Sequence, residues 1–120
     1  MKNFARFTAQ AGRIALESRV VRMGRDVQCL LGGGDAHIGT VALAWSDGDA
    51  DEQSRLLGLP GHREDEIALR MARTLARTLG CAVCVSAGIH FDAITREEIA
   101  VVGNLADELT GKCLDFLAPS

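Results

Sequence analysis

The sequence predicts an α+β domain, with a mainly antiparallel β-sheet of four or five strands and two helices packed on one of its faces. Three observations lead there. The first third of the chain alternates apolar and polar residues with a period of two. Two later segments repeat their apolar residues at three and four, which is the period of a helix with one buried stripe. The order along the chain is strands, helix, strand, helix, with no internal repeat and no linker composition, so residues 1–120 read as a single domain.

Each element has its own warrant. Phe4–Ala9 is a candidate first strand. Between Arg13 and Val20, Ile14, Leu16, Ser18 and Val20 alternate with Arg13, Ala15, Glu17 and Arg19, placing one mostly apolar face on a core and one charged face in water. Met23–Asp26 is a turn with Gly24 free to take positive φ, and Val27–Leu31 is a short strand that stops at Gly32-Gly33-Gly34. A further strand runs from His37 to Trp45, and Ser46–Gly61 is a long polar connection carrying Asp47, Asp49, Asp51 and Glu52. That acidic run reads as a solvated loop, because the glycine and distal glutamate of a calcium loop are not in register.

From Arg63 the period becomes helical. Ala68, Met71, Ala72, Leu75 and Leu79 form the stripe, Glu64, Asp65 and Glu66 lie in the first turn, and Gly80 ends the helix. Cys81–Phe91 is a nearly continuous apolar strand suited to the middle of a sheet. Thr95-Arg96-Glu97-Glu98 is a capping box flanked by Ile94 and Ile99, and Val102, Leu105, Leu109, Cys113 and Phe116 give the second helix its buried side.

Composition narrows the functional classes. A net charge of −3 leaves no broad cationic surface for a phosphate backbone, so nucleic acid is not an expected partner. No apolar stretch approaches the roughly 20 residues that span a bilayer. The N-terminus has a positive charge without an apolar run behind it, so it is not a secretory signal, and the four cysteines are expected as reduced thiols in the cytoplasm.

Few residues suggest chemistry. Gly32-Gly33-Gly34-Asp35-Ala36-His37 could free backbone N–H groups to approach an anion, yet it lacks the Gly-Lys-Ser/Thr of a phosphate loop, and a structural turn fits as well. All three histidines, His37, His62 and His90, stand at element ends, where ligand-binding groups are commonly displayed. Together they could hold a divalent ion with positions left open, although singly each also fits a satisfied or surface histidine. Cys81 and Cys84 have redox-motif spacing but fall inside a strand, so both read as core residues. Ser86 lacks the flanking glycines of a nucleophile elbow.

Three stretches resemble one family when taken together: Leu31–Gly39, His62-Arg63 through Arg70-Met71-Ala72, and Ser86-Ala87-Gly88-Ile89-His90 followed by Ile94-Thr95. They are similar to the small D subunit associated with gallate-type (hydroxyarylic acid) decarboxylases, a prenylated-flavin chaperone, and the similarity spans nearly the whole chain. The resemblance implies a non-catalytic carrier that holds prenylated FMN and supports maturation of a UbiD-type aromatic acid decarboxylase. The catalytic subunit of that enzyme is the expected partner, with a flavin prenyltransferase as a further one. Cys81, Cys84 and the acidic loop lie outside the family pattern.

Under that resemblance the candidate residues fall into one scheme. A divalent metal ion on His37, His62 and His90 would take phosphate oxygens of prenylated FMN, with amides of Gly32, Gly33 and Gly34, the Arg63 guanidinium and the neighbourhood of Gly88 completing the cofactor site. A flat ring on a 12.8 kDa domain gains wall area from a second copy, so a homodimer is expected. Two other classes remain open: a small three-histidine metal-dependent enzyme, for which Asp35, Glu64 or Asp92 would supply the base, and a cofactor-free structural subunit of the decarboxylase.

Overall fold

The computed structural model describes residues 2–46, 52–60 and 64–119. Its elements are β1 (Phe4–Ala11), β2 (Ile14–Met23), β3 (Asp26–Gly34), β4 (Thr40–Trp45), β5 (Gln53–Gly58), α1 (Asp65–Leu79), β6 (Ala82–His90) and α2 (Arg96–Leu117). The six strands form one sheet in the order β1-β2-β3-β6-β4-β5. All neighbours run antiparallel except β3 and β6, which are parallel. The predicted α+β class therefore holds, with one strand more than expected.

The extra strand is β5, inside the stretch read as a polar connection. It is an edge strand, and most of its residues are exposed, so no alternation marks it in the sequence. A second correction concerns Gly32-Gly33-Gly34. These residues do not end β3 but continue it, because β6 runs alongside and pairs Gly32 with Gly88, Gly33 with Ile89 and Gly34 with His90. The following strand starts at Thr40 rather than His37, which leaves 35–39 as the crossover.

Strand β6 enters the sheet between β3 and β4, which explains its nearly unbroken apolar sequence. Val83, Val85 and Ala87 point to the helical layer, alongside Ile14, Leu16 and Val20 of β2 and Cys29 and Leu31 of β3. Both helices cover this one face: α1 contacts β4, β5 and β6, α2 contacts β1 and β2, and the helices touch each other. Small side chains are matched where α1 meets β4, since Ala42, Ala44, Ala68 and Ala72 are all fully buried. That lets helix and sheet approach closely without voids. Among the described residues no helix is long and apolar enough to cross a membrane.

The helix ends follow their chemistry. Gly80 takes the left-handed conformation at φ 66° and donates its N–H to Ala76 O, stopping α1. At α2 the capping box is complete: Thr95 Oγ1 accepts from Glu98 N at 3.1 Å, and Glu98 Oε1 accepts from Thr95 N at 3.1 Å. The same carboxylate takes a bidentate pair from Arg13, at 2.8 Å and 2.9 Å, which ties the β1–β2 turn to the start of α2.

The Arg13 hydrogen bonds and the Thr95 amide hold the Glu98 carboxyl down at about 2, against 4.5 ordinarily. A carboxylate with a depressed folded value adds stability that is complete above the unfolded value and fades as the pH falls through the folded one. The stability difference between the parent and Arg13→Ala should therefore be constant above about pH 4.5 and shrink as pH falls toward 2. Urea unfolding at a series of pH values checks this, and a difference independent of pH across that window would contradict it.

Candidate functional site

With both helices on one side, the other face of the sheet is open. The register determines what it displays. Arg6 stands opposite Arg19 and Thr8 opposite Glu17 across β1 and β2; Arg19 opposes Leu30 and Glu17 opposes Gly32 across β2 and β3; Leu30 opposes Ser86 across β3 and β6. Over these residues lies a wide surface bowl of about 860 Å³. Such a volume falls within the roughly 300–1,000 Å³ of small-molecule sites.

The bowl has distinct sides. Its floor is Ala15, Leu30, Gly32 and Ser86, with Leu30 45% exposed for want of any covering element. One wall carries Arg6, Glu17 and Arg19. Glu17 accepts from both guanidiniums, at 2.7 Å from Arg6 Nε and 2.5 Å from Arg19 Nε. These bonds hold the Glu17 carboxyl below its usual range and raise Arg6. Two cations on one carboxylate leave that wall net positive. The opposite wall is the crossover, contributing Ala36, His37 and Ile38, and Ile38 is 62% exposed.

The crossover is held by glycines. Asp35 N donates to His90 O at 3.0 Å and Gly39 N to Ala87 O at 2.9 Å, so both of its ends hang on β6. Between them the His37 backbone lies directly on Gly88, where a Cβ would stand 1.7 Å from His37 O. At Gly34, φ is 63° and a Cβ would meet His90 O at 1.9 Å, while at Gly33 it would meet Leu16 Cδ2 at 2.4 Å. Backbone packing therefore requires Gly34 and Gly88, whereas at Gly33 the obstacle is the end of the Leu16 side chain. Gly32 differs: its Cβ direction meets Ala36 Cβ at 3.2 Å beside the bowl floor, so its smallness keeps the bowl deep next to the crossover wall.

The histidines are placed as follows. His37 Nδ1 lies 2.9 Å from Asp35 O, and its Nε2 lies 3.5 Å from Oε1 of Glu64, a buried carboxylate at the start of α1. Glu64 Oε1 also accepts from Ile89 N at 3.0 Å. His90 is exposed at the end of β6, with Nε2 3.1 Å from Asp92 Oδ1. Asp35, His90 and Asp92 form a group whose ligating atoms lie within 4.8 Å of one another. His62 and Arg63 fall outside the described residues.

The cysteines divide in a way the spacing foreshadowed only in part. Cys81 is buried and burial raises its thiol, whereas Cys84 faces the open side, half-buried, with Gln28 Nε2 3.6 Å from its sulfur. Cys84 is thus not a core residue, while Cys81, just ahead of β6, is buried in the core. Arg6, Arg19 and Leu30 line the bowl although motif reading passes over them, and Ser86, read in the sequence only as a poor nucleophile and part of the family-like stretch, joins them on its floor. Their signal is the alternation in β1, β2, β3 and β6, which assigns all four to the face away from the helices.

Fold and bowl together define a class: a small α+β domain with its helices on one side and an open, partly apolar, arginine-walled cavity of small-molecule size on the other. The chain belongs to the prenylated flavin chaperone LpdD-like domain family, whose model matches residues 10–118. It is 27% identical over 116 residues to Protein LpdD of Lactiplantibacillus plantarum, across 94% of this chain and 85% of that protein. In fold it is similar to a chain from the crystal structure of a chaperone complex for yeast 20S proteasome assembly, with a TM-score of 0.63 and 12% identity, covering 97% of this chain and 96% of the other.

Gly88 offers a direct check of the wall's construction. Gly88→Ala should destabilise the fold by about 3 kcal/mol or more, since backbone blocks the added methyl rather than a movable side chain. Gly32→Ala, meeting only a methyl group, should cost far less. Thermal unfolding compares the two, and equal losses would show that the crossover does not rest on Gly88.

Proposed function

We propose that this chain is a non-catalytic carrier that binds prenylated FMN in the open bowl and delivers it to a UbiD-type decarboxylase. The observation that carries the reading is a cavity of suitable size and polarity on the uncovered face of a chain belonging to a prenylated-flavin chaperone family. A flat, apolar ring suits Leu30, Ala15 and the Gly32 floor. A phosphate suits the Arg6–Arg19 wall, with Arg63 as a further candidate donor, while Gly32, Gly33 and Gly34 are paired within the sheet and contribute smallness rather than free amides. The shallowness of the bowl favours handing over a cofactor rather than enclosing a reaction, which calls for exclusion of water.

A divalent ion belongs to the same proposal. Its expected ligands are His37, His62 and His90, and imidazole nitrogens are ligands that suit a zinc- or manganese-type ion. Bound there, the ion would supply a positive anchor for phosphate oxygens. The chain's own residues would orient it: Asp35 O fixes the His37 ring, and the glycine-supported crossover holds that histidine at the edge of the bowl.

Anaerobic calorimetry tests the cofactor reading. Prenylated FMN should bind more tightly than FMN, and Leu30→Glu, which puts a carboxylate on the bowl floor, should weaken binding by an order of magnitude or more. Equal affinity for both flavins, or none for either, would overturn it.

Assembly as a homodimer is proposed with it, since the open face continues past the bowl into Leu43, Trp45 and Leu57, exposed by 42%, 36% and 73%. Light scattering should return a mass near twice 12.8 kDa, and the monomer mass at working concentration would remove the dimer from the account.

A further inference from the structure

We infer that a second copy of this chain packs on the open face, sheet to sheet about a two-fold axis along the strands, so that β4 and β5 of one copy roof the bowl of the other. This deepens the dimer proposed above: it names the surfaces that pair and their direction, and it builds the cargo site from both copies. It rests on the carrier reading only for the identity of the cargo.

The first observation is area. Six strands about 4.8 Å apart, averaging about eight residues at roughly 3.3 Å each, give the open face roughly 750 Å² in plan. Side-chain relief adds to that, and a stable interface takes about 800 Å² from each partner. The apolar part of the face also reaches well beyond the bowl. Phe4 and Met23 are exposed by 54% and 63% at its β1–β2 end, opposite Leu43 and Trp45 on β4.

The second observation is that the face matches itself in one direction. One row of the register runs from edge to edge as Arg6, Arg19, Leu30, Ser86, Val41 and Leu57. The next runs Phe4, Val21, Gln28, Cys84, Leu43 and Arg55. Sheets packed face to face keep their strands within about 30° of each other, so a two-fold axis along the strands lays each row back on itself, reversed. In the second row Val21 then meets Leu43, and Phe4 meets Arg55, a guanidinium that already lies over an aromatic ring, Trp45, at 5.5 Å. In the first row Val41 and Leu57 of one copy come over the Arg6–Arg19 wall of the other.

Charge selects this axis over the one across the strands. Arg6 and Arg19 share the single carboxylate of Glu17, whereas β4, β5 and β6 hold no carboxylate. An axis across the strands would therefore set one cationic half on another, while the axis along them sets each cationic half under an aliphatic one. A flat ring lying on Leu30 gains an aliphatic roof, and its phosphate keeps the arginines. Because the roof belongs to a separate chain, it leaves when the dimer opens, and the bowl is again shallow enough to release its cargo.

Leu43→Glu and Val21→Lys test the pairing, since both positions lie outside the bowl and each variant puts a charge into the same contact. Light scattering of the full chain without flavin should give the monomer mass for each variant alone and twice 12.8 kDa for the parent. An equimolar mixture of the two should recover the dimer, because the new charges attract across one contact while the other contact is unmodified. In anaerobic titrations with prenylated FMN, each variant alone should bind at least tenfold more weakly than the parent, and the mixture should regain the parent affinity.

Circular dichroism reports whether the variants are folded. Where one is not, isotope-filtered NMR on the parent, with half the copies labelled, should show the Leu43 methyls in contact with Val21 of the other copy. A monomeric parent, a variant that stays dimeric, a mixture of folded variants that stays monomeric, missing Leu43–Val21 contacts, or monomeric variants with the parent's flavin affinity would each overturn the inference. Assembly is read without flavin, so the pairing and the carrier reading fail separately.

Discussion

The site depends on one contact, the backbone of His37 lying on Gly88. The crossover from β3 to β4 folds back over the outer face of the sheet instead of leaving it, and it can do so only because β6 carries no side chain at that point. From this close approach follow the wall of the bowl, the position of the His37 ring and its orientation by Asp35 O. The parallel β3–β6 pair is what brings Gly32 alongside Gly88 and the end of β3 alongside His90. A parallel neighbour requires a long connection, here β4, β5 and α1, and that connection delivers Glu64 to the same end of the sheet.

The second organising feature is the division of the sheet into a covered and an open face. Every helix contact is on one side, so the opposite side retains Leu30, Leu43 and Trp45 partly in water. A stable monomer would ordinarily cover or charge such a surface. Here its polar groups are concentrated at the bowl, in the Arg6–Glu17–Arg19 cluster and at Ser86, while the apolar area extends toward β5. A surface arranged in this way suits a role in which a flat cofactor and a protein partner are each met by the same layer.

Much of this was legible in the residues, for identifiable reasons. The strong alternation in β2, the unbroken apolar β6 and the Thr95–Glu98 box each encode local structure, and each appears where the sequence puts it. Strand β5 was not legible because an exposed edge strand has no buried side to alternate. The glycines were misread as the end of β3, since a run of glycines signals a turn unless a neighbouring strand needs the space, and that neighbour is far away in sequence. The site was legible only as parts. His90 stands at the end of β6 as expected, whereas His37 lies inside the crossover rather than at the start of a strand, and Glu64 beside the first and Asp35 beside the second are brought there by the tertiary fold. Arg6 and Arg19 carry no motif at all, and only the strand register brings them to one wall.

A carrier must hold its cargo firmly enough to protect it and release it to a partner, and a shallow bowl with one arginine-lined wall suits that balance better than a closed cavity. The most direct measurement is the absorbance spectrum of this chain purified anaerobically after co-expression with a flavin prenyltransferase, followed by mixing with cofactor-free decarboxylase. The account predicts that modified-flavin absorbance travels with the chain and is then lost from it as decarboxylase activity appears. Folded chain that carries no flavin absorbance, and that gives the decarboxylase no activity, would contradict it.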